Sequence, residues 1–249
     1  ILKQVAEHTT RVAMLRTGEA DIIDLPSFMV DEVRKAGFDV RIAPLALSTW
    51  ITLGGQYAPS NPVYNPKNPW LKREVRQALN LAVNRDEIVK YIFKGTAKPA
   101  ALPYLMPGTL GWNDSWRPYP YDVERAKKLL VEAGYPNGFG MTMRTFSMSG
   151  LREMPQIAEA VATYWAKIGV KTKLIPIEYV THRTDYQNSK LPPLAFPFRY
   201  TFEQNLTRQL TKAFYSKSKG THAETPALDA LAAEPLNEID PDKQAALIS

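Results

Sequence analysis

Apolar residues recur at helical spacing through residues 72–93, and this stretch is the most strongly patterned part of the chain. One face of its first helix carries Val75, Ala78, Leu79 and Ala82. Asn84 follows as an N-cap residue, and Glu87 stands three positions later, where its carboxylate can reach back to the amide of the cap. The pattern therefore predicts two consecutive helices, Val75–Val83 and Arg85–Phe93, packed against each other.

The remainder of the chain alternates between short apolar runs and amphipathic stretches. Predicted strands cover residues 21–25, 39–44, 49–54, 141–146, 170–178 and 194–200. Further predicted helices cover residues 5–17, 31–37, 123–133, 157–168, 205–214, 225–233 and 241–249. Two long proline-rich stretches, 57–69 and 98–120, interrupt this order, and loops of such length are usually functional or packed onto the body by their aromatics. The alternation is typical of an α/β layer sandwich.

Four phrases of the sequence resemble one known family, the extracytoplasmic solute-binding proteins of family 5, which serve peptide/nickel-type ABC importers. They lie at residues 11–23, 75–89, 120–139 and 157–174; the second reads V-R-Q-A-L-N-L-A-V-N-R-D-E-I-V. The resemblance implies an α/β fold, namely a periplasmic binding protein-like (class II) lobe with a mixed sheet and helices on both faces. It also implies that residues 1–47 form the end of a first lobe and a hinge crossing in extended segments. Residues 48–249 would form the second, C-terminal ligand-binding lobe, truncated at its C-terminal end.

The same resemblance implies a function in transport. The chain would belong to the solute-binding component of an ABC importer, which traps an oligopeptide, a dipeptide, a nickel chelate or a related solute between two lobes. Its partners would be that solute and the transmembrane subunits of the permease, and it would act as a periplasmic or lipid-anchored monomer rather than as an enzyme. The alternative is the ligand-sensing lobe of a bacterial transcription regulator, because similar lobes occur fused to DNA-binding segments.

Site residues are implied by position within the resemblance. The expected ligand-binding residues are Trp50, Met148, Arg152, Phe198, Arg199 and Tyr200. The dipeptide binders of the family carry an Asp in the segment that corresponds to 197–201, where it neutralises the amino terminus of a peptide, and this segment has none. Arg199 instead offers a guanidinium fork for an anionic group. The face around Trp50 and Phe198 is expected to be exposed and aromatic.

Composition and charge limit which kinds of site and partner the chain can have. The 249 residues include 45% apolar residues, which is enough for a substantial core, and no apolar run is long enough to span a bilayer. The absence of cysteine excludes disulfides and Cys-ligated metals. The net charge is +6, but the basic residues are scattered, so no nucleic-acid partner is indicated. His8, His182 and His222 share no ligand spacing, His182 is expected on the surface, and neither a metal site, a cofactor nor a catalytic constellation is predicted.

Overall fold

The computed structural model describes residues 2–42, 47–109, 112–148, 150–201, 213–216, 218 and 223–248. The strands are β1 (Leu47–Leu53), β2 (Gly140–Thr145), β3 (Lys171–Pro176) and β4 (Ala195–Thr201). The helices are α1 (His8–Arg16), α2 (Val30–Lys35), α3 (Arg73–Leu81), α4 (Arg85–Tyr91), α5 (Val123–Glu132), α6 (Met154–Ala166), α7 (Tyr179–Gln187), α8 (Pro226–Asn237) and α9 (Pro241–Ile248). Short 3₁₀ turns at Ser27–Met29 and Pro69–Leu71 precede α2 and α3.

The strands form one mixed sheet in the order β1-β4-β2-β3. Strands β2 and β3 run parallel, as do β2 and β4, whereas β1 runs antiparallel to β4. The register places Trp50 opposite Phe198, so their side chains lie on the same face of the sheet. Strand β1 occupies one end of this order, and its outer edge has no partner strand among the described residues.

Helices cover both faces of the sheet, as the sequence predicted. Helix α6 packs against β3, β4 and β2. On the other face, the carboxylate of Asp185 in α7 accepts a hydrogen bond from the guanidinium of Arg144 in β2, at 2.7 Å. The ring of His182, also in α7, lies 4.4 Å from that of Phe196 in β4. The α/β fold with a mixed sheet is therefore confirmed.

The apolar face predicted for α3 is buried, but its main partner is not the one expected. Val75 and Ala78 are fully buried, and α3 packs chiefly against α5 rather than against α4. The backbone amide of Glu87 donates to the Asn84 side chain, as predicted for a cap. The Glu87 carboxylate does not return to the cap; it accepts a hydrogen bond from the Tyr164 hydroxyl at 2.5 Å. Helix α4 is thus held by α6, and none of its residues is fully buried.

Three predicted elements differ from the structure or lie outside it. Residues 21–25 and 39–42 contain no strand, and residues 43–46 lie outside the described part. Near the first of these segments, Arg11 donates to the backbone carbonyls of Val5 and Asp24, so a side chain satisfies groups that a strand ladder would otherwise bind. The helix predicted at 205–214 falls mostly on residues outside the described part.

His182 is a correction, because it is fully buried rather than on the surface. Its ring lies 4.5 Å from that of Phe146, and neither ring nitrogen has a hydrogen-bond partner among the described residues. The pKa of His182 is lowered to about 4, chiefly by burial and to a smaller extent by the charge of Arg144, while the charge of Asp185 opposes the change. A neutral imidazole therefore fills this part of the core.

This burial predicts acid-sensitive stability. The pKa of His182 is near its usual 6.5 in the unfolded chain and about 4 in the folded protein, so the unfolded chain binds the proton first. Stability should be complete above pH 6.5 and fall as the pH drops towards 4, by about 3 kcal/mol from this group. Urea unfolding of the wild type and His182→Phe across that range measures it. Equal pH dependence in the two proteins would contradict the assignment.

Candidate functional site

A cleft of about 1220 Å³ lies along the free edge of β1. Six of the seven β1 residues line it, from both faces of the strand. One wall comes from residues 8–27 and another from residues 95–118, with α4 and the turn before α6 closing it. An edge strand can offer both of its faces to one cavity because no neighbouring strand stands in the way.

Aromatic side chains form one end of this cleft. The Trp50 ring lies 4.7 Å from that of Tyr104 and 5.7 Å from that of Phe198. Trp112 and Trp116 pack edge to face at 5.5 Å, and these rings gather around the buried Leu105. The three tryptophans are only half-buried and line the cleft.

The expectation of an exposed face at Trp50 and Phe198 is therefore wrong. Tyr104 covers Trp50 on one side and lies 5.0 Å from the Tyr200 ring on the other. The long segment that precedes α5 supplies Tyr104, and the sequence predicted that this segment would be functional or packed onto the body by its aromatics. Trp50 therefore both packs against Tyr104 and lines the cleft.

A group of polar residues at the cleft connects residues 2–42 to the lobe. The backbone amide of Ser27 donates to the buried carboxylate of Glu153 at 3.1 Å. The Thr96 hydroxyl contacts the Ser27 hydroxyl at 3.4 Å. Beside them, Arg11 and Asp24 form an ion pair at 2.9 Å. One serine therefore meets both the turn before α6 and the segment after α4.

The structure brings together only part of the predicted site. Trp50, Met148 and Arg152 line the cleft, whereas Phe198, Arg199 and Tyr200 are not among its lining residues. Phe198 and Tyr200 pack instead in the aromatic cluster. Arg199 lies on the opposite face of β4 from Phe198, and its guanidinium donates to the Thr201 hydroxyl at 2.6 Å.

Sequence reasoning missed several lining residues, among them His8, Lys98 and Glu153. Trp112 and Trp116 were not among the expected ligand-binding residues, but tryptophans in a proline-rich loop were candidates for a cleft wall, and both line the cleft. No sequence signal marked Glu153, because an acidic residue before a helix is ordinary at the surface.

Metal and membrane chemistry find no support in the part of the chain that the structure describes. There, no group of three or more His, Asp or Glu side chains is placed to hold a metal ion. No helix among the same residues combines the length and the apolar character needed to cross a bilayer.

Comparison with known proteins gives consistent results. Residues 1–205 match the profile of the bacterial extracellular solute-binding proteins, family 5, middle part. The chain is 34% identical over 193 residues to heme-binding protein A of Haemophilus influenzae, covering 77% of this chain and 34% of that protein. It is 32% identical over 178 residues to the glutathione-binding protein GsiB of Escherichia coli K12, covering 71% and 32%. The chain thus spans about a third of the length of these curated relatives.

Solved structures show the same fold. The periplasmic binding protein DppA from Helicobacter pylori, in complex with the peptide STSA, is 25% identical with a TM-score of 0.74, and the match covers 99% of this chain and 47% of that one. The substrate-binding protein CtaP from Listeria monocytogenes is 19% identical with a TM-score of 0.80, covering 97% and 48%. The chain therefore corresponds to about half of each of these structures.

The Ser27–Glu153 contact predicts how residues 2–42 are held. Glu153→Ala removes the acceptor of a hydrogen bond to a charged group, which typically contributes about 1.5–3 kcal/mol. We expect faster amide hydrogen exchange at Ser27 and in α2, with β2 and β3 unchanged. Glu153→Gln, which keeps an acceptor oxygen, should have a smaller effect, and Glu159→Ala on the exposed side of α6 is the matched control. Equal exchange in all three variants would show that other contacts hold the segment.

Proposed function

Because the chain belongs to the bacterial extracellular solute-binding proteins of family 5, we propose that it is part of the solute-binding component of an ABC importer. In this proposal it traps a small solute or a peptide between two lobes and delivers it to the transmembrane subunits of the permease. The chain takes part in binding and not in catalysis. It works outside the cytoplasm, in the periplasm or on a lipid anchor, as a monomer.

The cleft along β1 is the observation that carries this proposal. It lies between residues 8–27 and the α/β lobe. Ligand sites of α/β proteins are concave, mainly apolar and supplied with a few polar groups, and this cleft has that character. A change of backbone angles in the connecting segment would open or close it, as in hinge closure around a ligand.

A second lobe completes the trap in our proposal, with residues 1–47 belonging to the end of the first lobe and to the hinge. Support comes from apolar side chains on the N-terminal segment, since Ile22 is 90%, Phe28 is 52% and Ile42 is 47% exposed. Exposed apolar groups of this kind are candidates for burial against a second lobe. With one wall absent, the present chain alone should bind solute weakly or not at all.

The names of similar proteins suggest the range of solutes. One relative is named for heme and another for glutathione, and similar structures hold a peptide or agropinic acid. All of these are small to medium-sized organic molecules, which supports the transport proposal over a regulatory sensor. A DNA-binding segment elsewhere in the gene product would favour the sensor instead.

Calorimetry on the complete gene product tests the proposed contacts, with a solute found by a thermal-shift screen. Trp50→Ala should weaken binding by about 1–2 kcal/mol whatever the charge of the solute, because it removes a ring from the cleft wall. If Arg199 reaches the solute on closure, Arg199→Ala should weaken binding of anionic solutes alone, by about 1.5–3 kcal/mol. Tyr91→Ala, an exposed ring away from the lining, is the control. Unchanged affinity in both test variants would exclude this site.

A further inference from the structure

We infer that the cleft selects a solute that carries carboxylates together with a ring-bearing apolar body. This inference rests on the proposed binding function and names the class of substrate. It follows from the side chains that line the cleft, which include two cations without an ion-pair partner and a group of tryptophans.

Two cationic residues line the cleft, in segments that Ser27 connects. Ser27 contacts Glu153 and Thr96. Arg152 directly precedes Glu153, and Lys98 follows Thr96 by two positions; both are exposed and both line the cleft. An arginine and a lysine from segments about fifty residues apart in the chain thus line the same cleft.

Neither Arg152 nor Lys98 is paired with an anionic side chain of the protein. Within the described residues, Arg152 and Lys98 make no ion pair and no hydrogen bond through their side chains. The carboxylates that line the cleft are Asp24 and Glu153. Asp24 forms an ion pair with Arg11, and the buried carboxylate of Glu153 accepts a hydrogen bond from the backbone amide of Ser27. Neither carboxylate forms an ion pair with Arg152 or Lys98 among the described residues.

His8 is a further polar residue of the cleft lining. Its ring packs against Phe28, the neighbour of Ser27, at 6.3 Å, and His8 lines the cleft. Both ring nitrogens are enclosed and have no hydrogen-bond partner among the described residues. An enclosed imidazole without a partner gains a hydrogen bond when an acceptor such as a carboxylate oxygen enters.

Three tryptophans supply flat apolar surface on which a ring of the solute can stack. Trp50, Trp112 and Trp116 stand around Leu105, and each leaves part of its ring facing the cleft. Indole faces bind flat apolar groups well, and they hold them at little conformational cost because they are rigid. The cleft volume of about 1220 Å³ leaves room for a body of several rings, since pockets for small molecules usually measure about 300–1,000 Å³.

The cations and the tryptophans together determine which solutes the cleft binds most tightly. A guanidinium and an ammonium without partners favour a carboxylate, and the arginine can bind it through two parallel hydrogen bonds. A neutral analogue would leave both cations desolvated but unpaired when the cleft closes, and a cationic analogue would be repelled. A small dicarboxylate without rings would lose the contact with the tryptophans.

Titration calorimetry of the complete gene product with three probes tests the inference. Naphthalene-1,4-dicarboxylate carries both features, naphthalene-1,4-dicarboxamide lacks the charge, and succinate lacks the rings. We expect the first to bind at least about tenfold more tightly than either of the others, which corresponds to one charge-assisted hydrogen bond or one buried ring. A broad thermal-shift screen of peptides and neutral solutes runs in parallel.

Substitutions separate the contribution of the cations to binding from that of the tryptophans. Arg152→Gln and Lys98→Gln should each weaken dicarboxylate binding about tenfold and leave the dicarboxamide unchanged. Trp112→Ala should weaken both ring compounds equally. Arg125→Gln, an exposed arginine on α5 outside the lining, removes the same charge and should change nothing.

The outcomes separate this inference from the proposed function. Equal affinity for the dicarboxylate and the dicarboxamide would overturn the inference while the cleft remained a binding site. Binding of neutral solutes from the screen, with none of the three probes bound, would have the same meaning. If neither the probes nor any solute in the screen bound, the proposed function and the inference would both fail.

Discussion

The antiparallel pairing of β1 with β4 is the interaction on which the rest of the structure depends. It joins Leu47–Leu53 to Ala195–Thr201, segments separated by almost the whole lobe, along the full length of both strands. The Thr49 hydroxyl adds a bond to the Phe198 carbonyl at 2.9 Å. This pairing places β1 beside β4, and no further strand pairs with the outer edge of β1 among the described residues. The cleft lies along that edge.

The residues that follow β1 are held close to the neighbouring chain. Gly55 has a φ of +75°, and a Cβ at this position would lie 2.7 Å from the backbone of Pro193. Only glycine lets the two chains approach so closely. The buried indole of Trp70 then donates to the Gly54 carbonyl at 2.8 Å, which ties the start of α3 to the end of β1. The β1 wall of the cleft is therefore tied to α3 through Trp70, while its other sides come from both helices and loops.

Regular elements and loops contribute differently to the cleft. Strand β1 carries Trp50, whereas Lys98 and Trp112 come from a loop. The proposed binding function would use this division, because loops positioned by a scaffold commonly carry binding residues. Two hydrogen bonds at Ser27, with Glu153 and with Thr96, connect the N-terminal segment to the lobe.

The sequence by itself determined the local structure and the family. The buried face of α3, the Asn84 cap and the Asp122 cap were all predictable, because helical spacing and capping involve residues within a few positions of each other. The α/β fold followed from the family resemblance. Tertiary structure alone decided that α3 packs on α5 and that His182 is buried. It also placed Lys98 and Arg152, which are distant in the chain, in the lining of one cleft. These features depend on strand register and on contacts between segments far apart in the chain, and no local pattern encodes them.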